Sequence, residues 1–318
     1  MQEVNKDIFY QTIDHWEDIP FSQTEGCVRM LSGDRTNSLR YFLDDNIGCV
    51  VHMKRCWGRT LFIVDSECLK HKQTKSATIT RFYEALRSYA DIIEVNCRRP
   101  YQADYEVGMR QAGYLRPIGS FSFELTNMID LTQPLAFNEN WKRNLKQSDE
   151  SGLTLVRIEQ PDSQDIADFM RLYREMSAHK NLTVPFTETT LGILLKDPHF
   201  HLCFICRGEE RLSGMIYHHI RTHAGLFYAA NSDAANQVHA GFQLYKQLLT
   251  LLASEGVETF DMEKMAPSTH SMNAVFLFKQ GIRGELTPLC GEWSWYKHRW
   301  YGVGMYLIKK YLWKKQQA

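Results

Sequence analysis

Lys279 and Asp261 are the residues whose type and setting best suit chemistry. Lys279 directly follows the apolar run Ala274-Val275-Phe276-Leu277-Phe278. A lysine at the edge of such a run is partly desolvated, which strengthens the effect of its ammonium charge. The competing reading is a solvated helix lysine that only lays its stem on apolar surface. Asp261 ends a strand pattern, Val257-Glu258-Thr259-Phe260, a usual place for site residues in α/β folds. It can orient an amine or accept its proton through water, and it can equally cap the next segment. Glu263 and Asn273 are nearby alternates. A third candidate is the stretch from Tyr228 and Asn231 through Gln237, Ala240 and Gly241, which leads from a strand into a long helix. The first N–H groups of that helix could hold a pyrophosphate or a similar anion; the alternative is a plain polar loop. Arg143 could meet a phosphate or carboxylate of an acceptor, with Trp141 stacking nearby. The alternative for Arg143 is a solvated basic helix face.

Bulk properties exclude several classes of function. Of the 318 residues 44% are hydrophobic and 23% charged, as in an ordinary globular protein, and the length suits two domains. Formal net charge is zero, from 37 basic and 37 acidic residues, which argues against a dedicated nucleic-acid binder. No stretch approaches the roughly 18–20 apolar residues of a membrane helix. The start, Met1-Gln2-Glu3-Val4-Asn5-Lys6, lacks the layout of a secretory signal, so a cytoplasmic location is expected. The eight cysteines are scattered, and Cys203 and Cys206, although spaced as CxxC, lie within a strand pattern and read as buried reduced thiols. The histidine pairs 199/201 and 218/219 lack a third ligand at sensible spacing, so no metal is expected.

The elements that must position these residues occur twice, roughly 165–170 residues apart. One copy runs from the helical pattern Phe82-Tyr83-Glu84-Ala85-Leu86 through the strand Ile92-Ile93-Glu94-Val95 to Gly113, then to Phe121-Ser122-Phe123. The other runs from Phe242-Gln243-Leu244-Tyr245 through 257–261 to Gly281, then to Trp293-Ser294-Trp295-Tyr296. Helix, strand, helix ending in Gly and strand, repeated, predict two α/β domains of one build. Their limits are expected at 1–130 and 153–318, with 131–152 as a linker carrying its own helix from Asn138 to about Ser151. The second domain reads as helix, helix, three strands in a meander (200–207, 212–220 and 224–230), a long helix at 238–254, then strand, helix and strand. From Trp293 to the end there are six Lys or Arg and no carboxylate. The segment 300–315 reads as an amphipathic helix, preferably packed on the protein, with contact to an anionic membrane surface as the alternative.

At this point the chain resembles the FemAB-like family, tandem-GNAT proteins that transfer aminoacyl or acyl groups to amines. Pro20-Phe21-Ser22-Gln23-Thr24 resembles the family's early "pF-x-Q-S" segment. Gly113-Tyr114 through Met128-Ile129-Asp130-Leu131 resembles the end of its first domain. Trp141-Lys142-Arg143-Asn144-Leu145-Lys146 followed by Ser151-Gly152-Leu153 resembles its "k-x-R-x-x-i-k-k-a … G-v" segment. Phe260-Asp261-Met262 and Phe278-Lys279-Gln280-Gly281 resemble its "yDfg" strand and "FK-x-x-f/w-G" motif. Gln237 with Ala240-Gly241 is similar to a reduced GNAT phosphate loop. Met262-Glu263-Lys264 departs from the small, glycine-rich run that follows the Asp in the family.

The resemblance implies two tandem GNAT-like domains, each a central mixed sheet flanked by helices. It implies an N-acyltransferase with no permanently bound cofactor, using acyl-CoA or aminoacyl-tRNA as donor and an amine as acceptor, such as a cell-envelope or polysaccharide precursor. Lys279, after Phe278, then holds the donor and stabilises the developing oxyanion. Tyr228, Asn231, Gln237 and Asp261 would line an open cleft beside splayed strands. A non-catalytic GNAT-derived module binding at an envelope or membrane complex is the second hypothesis.

Overall fold

The computed structural model describes residues 1–33, 38–56, 58–117, 125–180, 183–265 and 274–317. It divides into two compact units, Met1–Leu125 with Thr287–Ala318, and Thr126–Leu286. The mixed sheets and flanking helices of both units agree with the expected α/β class.

The first unit begins with β1 (Gln2–Val4), α1 (Lys6–Ile13) and α2 (Glu25–Ser32). The strands β2 (Leu39–Leu43), β3 (Ile47–Cys56) and β4 (Arg59–Asp65) form an antiparallel meander, with the short β5 (Cys68–Leu69) beside β3. Asp44 makes the first turn, its Oδ1 accepting from the Asn46 and Ile47 N–H groups at 2.8 Å each. Then come α3 (Ser76–Leu86), β6 (Ile92–Pro100) and α4 (Ala103–Gln111), with β6 parallel to β4. Ile79, Phe82, Tyr83 and Leu86 share the buried face of α3, as their helical spacing predicts.

The second unit opens on β7 (Leu125–Asp130) and α5 (Glu139–Asp149), followed by β8 (Leu153–Ile158), α6 (Ser163–His179) and α7 (Glu188–Leu194). Asp162 caps α6 in a reciprocal capping box with Asp165. The meander β9 (Phe200–Arg207), β10 (Glu210–Ile220) and β11 (His223–Asn231) leads through the short α8 (Asp233–Gln237) into α9 (Ala240–Ser254). β12 (Thr259–Asp261) and α10 (Ala274–Gln280) follow, with β12 parallel to β11. The chain closes with β13 (Glu285–Tyr296) and α11 (Arg299–Gln317). Among the described residues no helix is long and apolar enough to cross a membrane.

Meander, helix, parallel strand and helix thus recur in both units. The expected limits need correction at the last strand of each copy. The stretch expected after Gly113, around Phe121-Ser122-Phe123, lies within residues 118–124, outside the described residues; β7, which follows it, pairs antiparallel with β12 of the second unit. The strand after the second copy, β13, pairs antiparallel with β6 of the first unit. Strand pairing is set by long-range hydrogen bonds, which the local pattern does not encode.

The expected linker is also part of the second unit. Phe137 bridges Ile282, the Asn138 N–H donates to the Gly281 carbonyl at 2.9 Å, and the Arg283 N–H donates to Ala136 at 2.8 Å. Trp141 on α5 is fully buried in the core formed by Leu244, Leu248, Phe260 and Ile282. A Cβ on Gly281 would lie 1.9 Å from Trp141 Cδ1. Gly281→Ala is therefore expected to cost about 3 kcal/mol by overpacking, read from denaturant unfolding.

Gln23, from the early resemblance motif, is buried as a clamp between two strands. Its Nε2 donates to the Asp65 carbonyl at 3.0 Å and its Oε1 accepts from the Val50 N–H at 2.6 Å. The Ser22 hydroxyl joins it on the Asp65 carbonyl at 2.5 Å. Nearby, buried Arg99 is paired with Asp18 and with the buried Glu67, which also accepts from the Tyr83 hydroxyl at 2.5 Å. Buried charges of this kind persist because they are paired and hydrogen-bonded.

Candidate active site

The meander and parallel strand of the second unit open at one place. β11 is registered with β12 at three positions, His223↔Thr259, Ala224↔Phe260 and Gly225↔Asp261. β12 ends at Asp261, whereas β11 continues to Asn231. The register of β11 with β10 also shifts here. Ile216 faces Tyr228 and Tyr217 faces Leu226, so Phe227 is an extra residue that bulges β11 where it leaves β12.

On the β12 side, Asp261 and Lys279 come together around the strand's end. Asp261 Oδ1 accepts the Glu263 N–H at 2.8 Å and the Thr126 hydroxyl. Glu263 has φ 62°, left-handed for a non-glycine residue, so the chain turns sharply after Met262. The Lys279 ammonium donates to the carbonyls of Glu263 and Lys264, both at 3.1 Å, and its side chain is only 7% exposed. Asn127 on β7 ties the strand's end to α10. Its Nδ2 donates to the Lys279 and Ile282 carbonyls at 2.8 Å each, while its own carbonyl accepts the Met262 N–H at 3.1 Å.

Burial of the Asp261 carboxyl, reinforced by Glu263, pushes its pKa up to about 6; Thr126, the Glu263 N–H and the Lys279 charge hold it from rising further. Burial also lowers the pKa of Lys279, against the opposing pull of Glu263 and Asp261. A carboxyl and an amine are thus pushed toward each other's titration range, as environments that tune acid–base groups do.

On the β11 side, Tyr228 and Asn231 are partly exposed and Gln237, in α8, is exposed. Tyr228 lies among aromatics, 4.5 Å from Phe186 and from Phe227 between ring centroids and 5.8 Å from Tyr173. Asn231 closes on the start of α9, where a Cβ on Gly241 would lie 2.8 Å from its Nδ2. α9 begins after His239, itself left-handed at φ 54°, whose side chain makes no capping hydrogen bond. Ala240 and Gly241, the first residues of α9, are buried.

The family model of the acetyltransferase (GNAT) domain matches residues 136–266. This stretch holds the meander, the opening and α9. The match covers about two fifths of the chain. Over its full length the chain is similar to FemX, with a TM-score of 0.74 at 10% identity, covering 95% of this chain and 99% of that one. It is also similar to L-PGS from Bacillus licheniformis, with a TM-score of 0.64 at 12% identity and 96% of each chain covered. A third similar structure is the C-terminal domain of a putative lysylphosphatidylglycerol synthetase from Agrobacterium fabrum, with a TM-score of 0.62 at 14% identity, covering 95% and 96%. No curated protein matches the chain by sequence. At these identities the likeness is one of fold, a tandem GNAT-like fold.

Within that frame several expectations need revising. Trp141, expected to stack on an acceptor, is instead walled in. Its indole N–H donates to the Phe278 carbonyl at 2.9 Å, and its ring packs 4.7 Å from Phe242 and 4.8 Å from Phe278. Phe278, expected beside the donor, packs on Trp141, Phe242 and Tyr245. Arg143 is exposed on α5 and donates to Asn140 at 2.7 Å, a contact local to its own helix. Asn273 lies outside the described residues. Cys203 and Cys206 are buried, and burial raises both thiol pKa values, as inert interior thiols require. Among the described residues no group of three or more His, Cys, Asp or Glu gathers as a metal site.

The sequence reading missed Thr126 and Asn127. Both were assigned to the first domain, so their contacts with Asp261 and Lys279 could not be foreseen. The Thr–x–x–x–Asp–Leu spacing from Thr126 to Leu131 was the available signal.

Proposed function

We propose that the chain transfers an acyl or aminoacyl group from an activated donor to an amine at the opening between β11 and β12. The observation that carries this reading is that Asp261 and Lys279 both bind the turn at Glu263, at the end of the strand that β11 outruns. The start of α9, with Asn231 against Gly241, would receive the phosphates of acyl-CoA or the end of an aminoacyl-tRNA. An ammonium has three donors, and two of those on Lys279 go to Glu263 and Lys264. The third is left for the donor's carbonyl oxygen.

The chemistry then follows from these groups. The neutral amine attacks the carbonyl carbon and a C–N bond forms. Negative charge gathers on the oxygen facing Lys279, where a fixed ammonium in a poorly hydrated site stabilises it. The amine's proton passes to Asp261, directly or through one water. As the C–S bond of a thioester or the C–O bond of an ester breaks, that proton returns to the departing thiolate or alkoxide, which leaves as thiol or alcohol. The acceptor is read as an envelope or polysaccharide precursor amine, by analogy with the family that the sequence motifs resemble.

The carboxylate form of Asp261 is the base, so its raised pKa fixes the sign of the pH dependence. Below about 6 the group is protonated and idle; above it the group is ionised. Turnover is expected to rise as pH increases through about 6, and this limb is expected to vanish in Asp261→Asn. A pH–rate profile of both proteins from pH 5 to 8 checks it. An unchanged limb in Asp261→Asn removes Asp261 from the proton transfer. The second hypothesis, a binding module without catalysis, draws on the engagement of Lys279 by two backbone carbonyls, an arrangement that would also serve folding alone. Thermal shifts with acetyl-CoA, longer acyl-CoAs and aminoacyl-tRNA, run beside product detection, separate donor binding from transfer.

A further inference from the structure

We propose that α11 docks the first unit on an anionic phospholipid bilayer. This goes beyond the transfer reading and does not depend on it. One side of α11 is held by its own unit, with Met305 buried against Leu61 and Ile92, and Tyr301 packed beside them. The Arg59 guanidinium lies over the Tyr301 ring at 5.4 Å. The helix is thus anchored through the face that carries Tyr301 and Met305.

Its other face carries large apolar side chains in water. Trp300 is 82% exposed, Val303 58% and Leu307 58%, with Tyr311 63% exposed one turn further on. Steps of three and four residues place them on one stripe of the helix. Scattered apolar residues on a surface need no explanation, but a helical stripe headed by Trp marks a docking surface. Trp and Tyr suit the headgroup level of a bilayer, where one part of the ring is apolar and another polar.

Charge selects the occupant. From Trp293 to the end the chain carries Lys297, Arg299, Lys309, Lys310, Lys314 and Lys315 and no Asp or Glu. A second copy of α11 would bring the same sign of charge against the same stripe and repel it. Anionic lipid headgroups neutralise the lysines while the stripe enters the acyl boundary, the pattern of a helix lying in the interface plane.

The test is cosedimentation of the full chain with vesicles of phosphatidylcholine alone, and with vesicles containing phosphatidylglycerol, at low and high salt. Binding to the anionic vesicles at low salt is expected, falling steeply with salt and weak on the neutral ones. Val303→Glu with Leu307→Glu should weaken it by about 10-fold or more, with melting curves unchanged because both side chains are exposed. Replacing Lys309, Lys310, Lys314 and Lys315 by Gln should weaken it comparably while Trp300, Val303, Leu307 and Tyr311 stay in place. No binding to anionic vesicles, or full binding by both variants, overturns the proposal. So does a concentration-dependent dimer that the glutamate variant abolishes, since the stripe would then be an interface between copies.

Discussion

Replacing Lys279 by Met is expected to lower turnover by roughly 10²-fold or more at saturating donor, the scale of losing one oxyanion-stabilising group. The same change is expected to lower stability by about 2 kcal/mol, since it leaves two inward-facing carbonyls without their charged donor. The family resemblance implies the first effect and not the second: a partly desolvated lysine at the edge of an apolar run reads as a non-core position, with less than about 1 kcal/mol at stake. The structure revises that expectation, because Lys279 is buried and its ammonium binds the Glu263 and Lys264 carbonyls. Lys279→Arg keeps a charge and separates the two roles. Stability recovered without turnover would assign the position to the site; both recovered together would make charge alone sufficient. Unchanged turnover in a folded Lys279→Met protein removes the residue from the mechanism.

Trp141→Ala is expected to cost about 3–5 kcal/mol, as for other large buried aromatics cut to alanine. The ring is fully buried, stacks at 5.5 Å and 9° on Phe137, and packs edge-on against Phe242. The gap left behind is walled by α5, α9 and α10. Trp141→Phe keeps most of the ring and loses the hydrogen bond to the Phe278 carbonyl, so about 1–2 kcal/mol is expected. Denaturant midpoints of the three proteins check both. Were Trp141 an acceptor-stacking residue, Trp141→Ala would instead leave the midpoint unchanged and raise KM.

Local patterns in the sequence carried the class of fold. Helical spacing placed α3 and α9, alternating apolar residues placed the meander, and the repeat of helix, strand, helix marked two units of one build. Patterns of this kind report which face of an element is buried. They do not report its partner, and so β7 and β13 were each assigned to the wrong unit. The same limit applies to the site. Phe278-Lys279-Gln280-Gly281 reads as one motif, yet its residues divide between two tasks. Phe278 and Gly281 shape the seat of Trp141, whereas Lys279 turns to the end of β12. Spacing cannot separate packing from chemistry when both fall within one helical turn. Asp261 was legible as a polar residue closing an apolar strand, but its raised pKa depends on burial and on Glu263, which only the folded chain brings together.

The central claim is that an amide is made at the β11–β12 opening. The most direct measurement incubates the chain with each donor class, acyl-CoA and aminoacyl-tRNA, and a panel of primary amines, and reads the amide product by mass. The account predicts a product with at least one donor class, at a rate that falls by roughly 10²-fold in Lys279→Met. A folded wild-type protein that yields no amide with either donor class, and whose melting temperature none of them shifts, would contradict it.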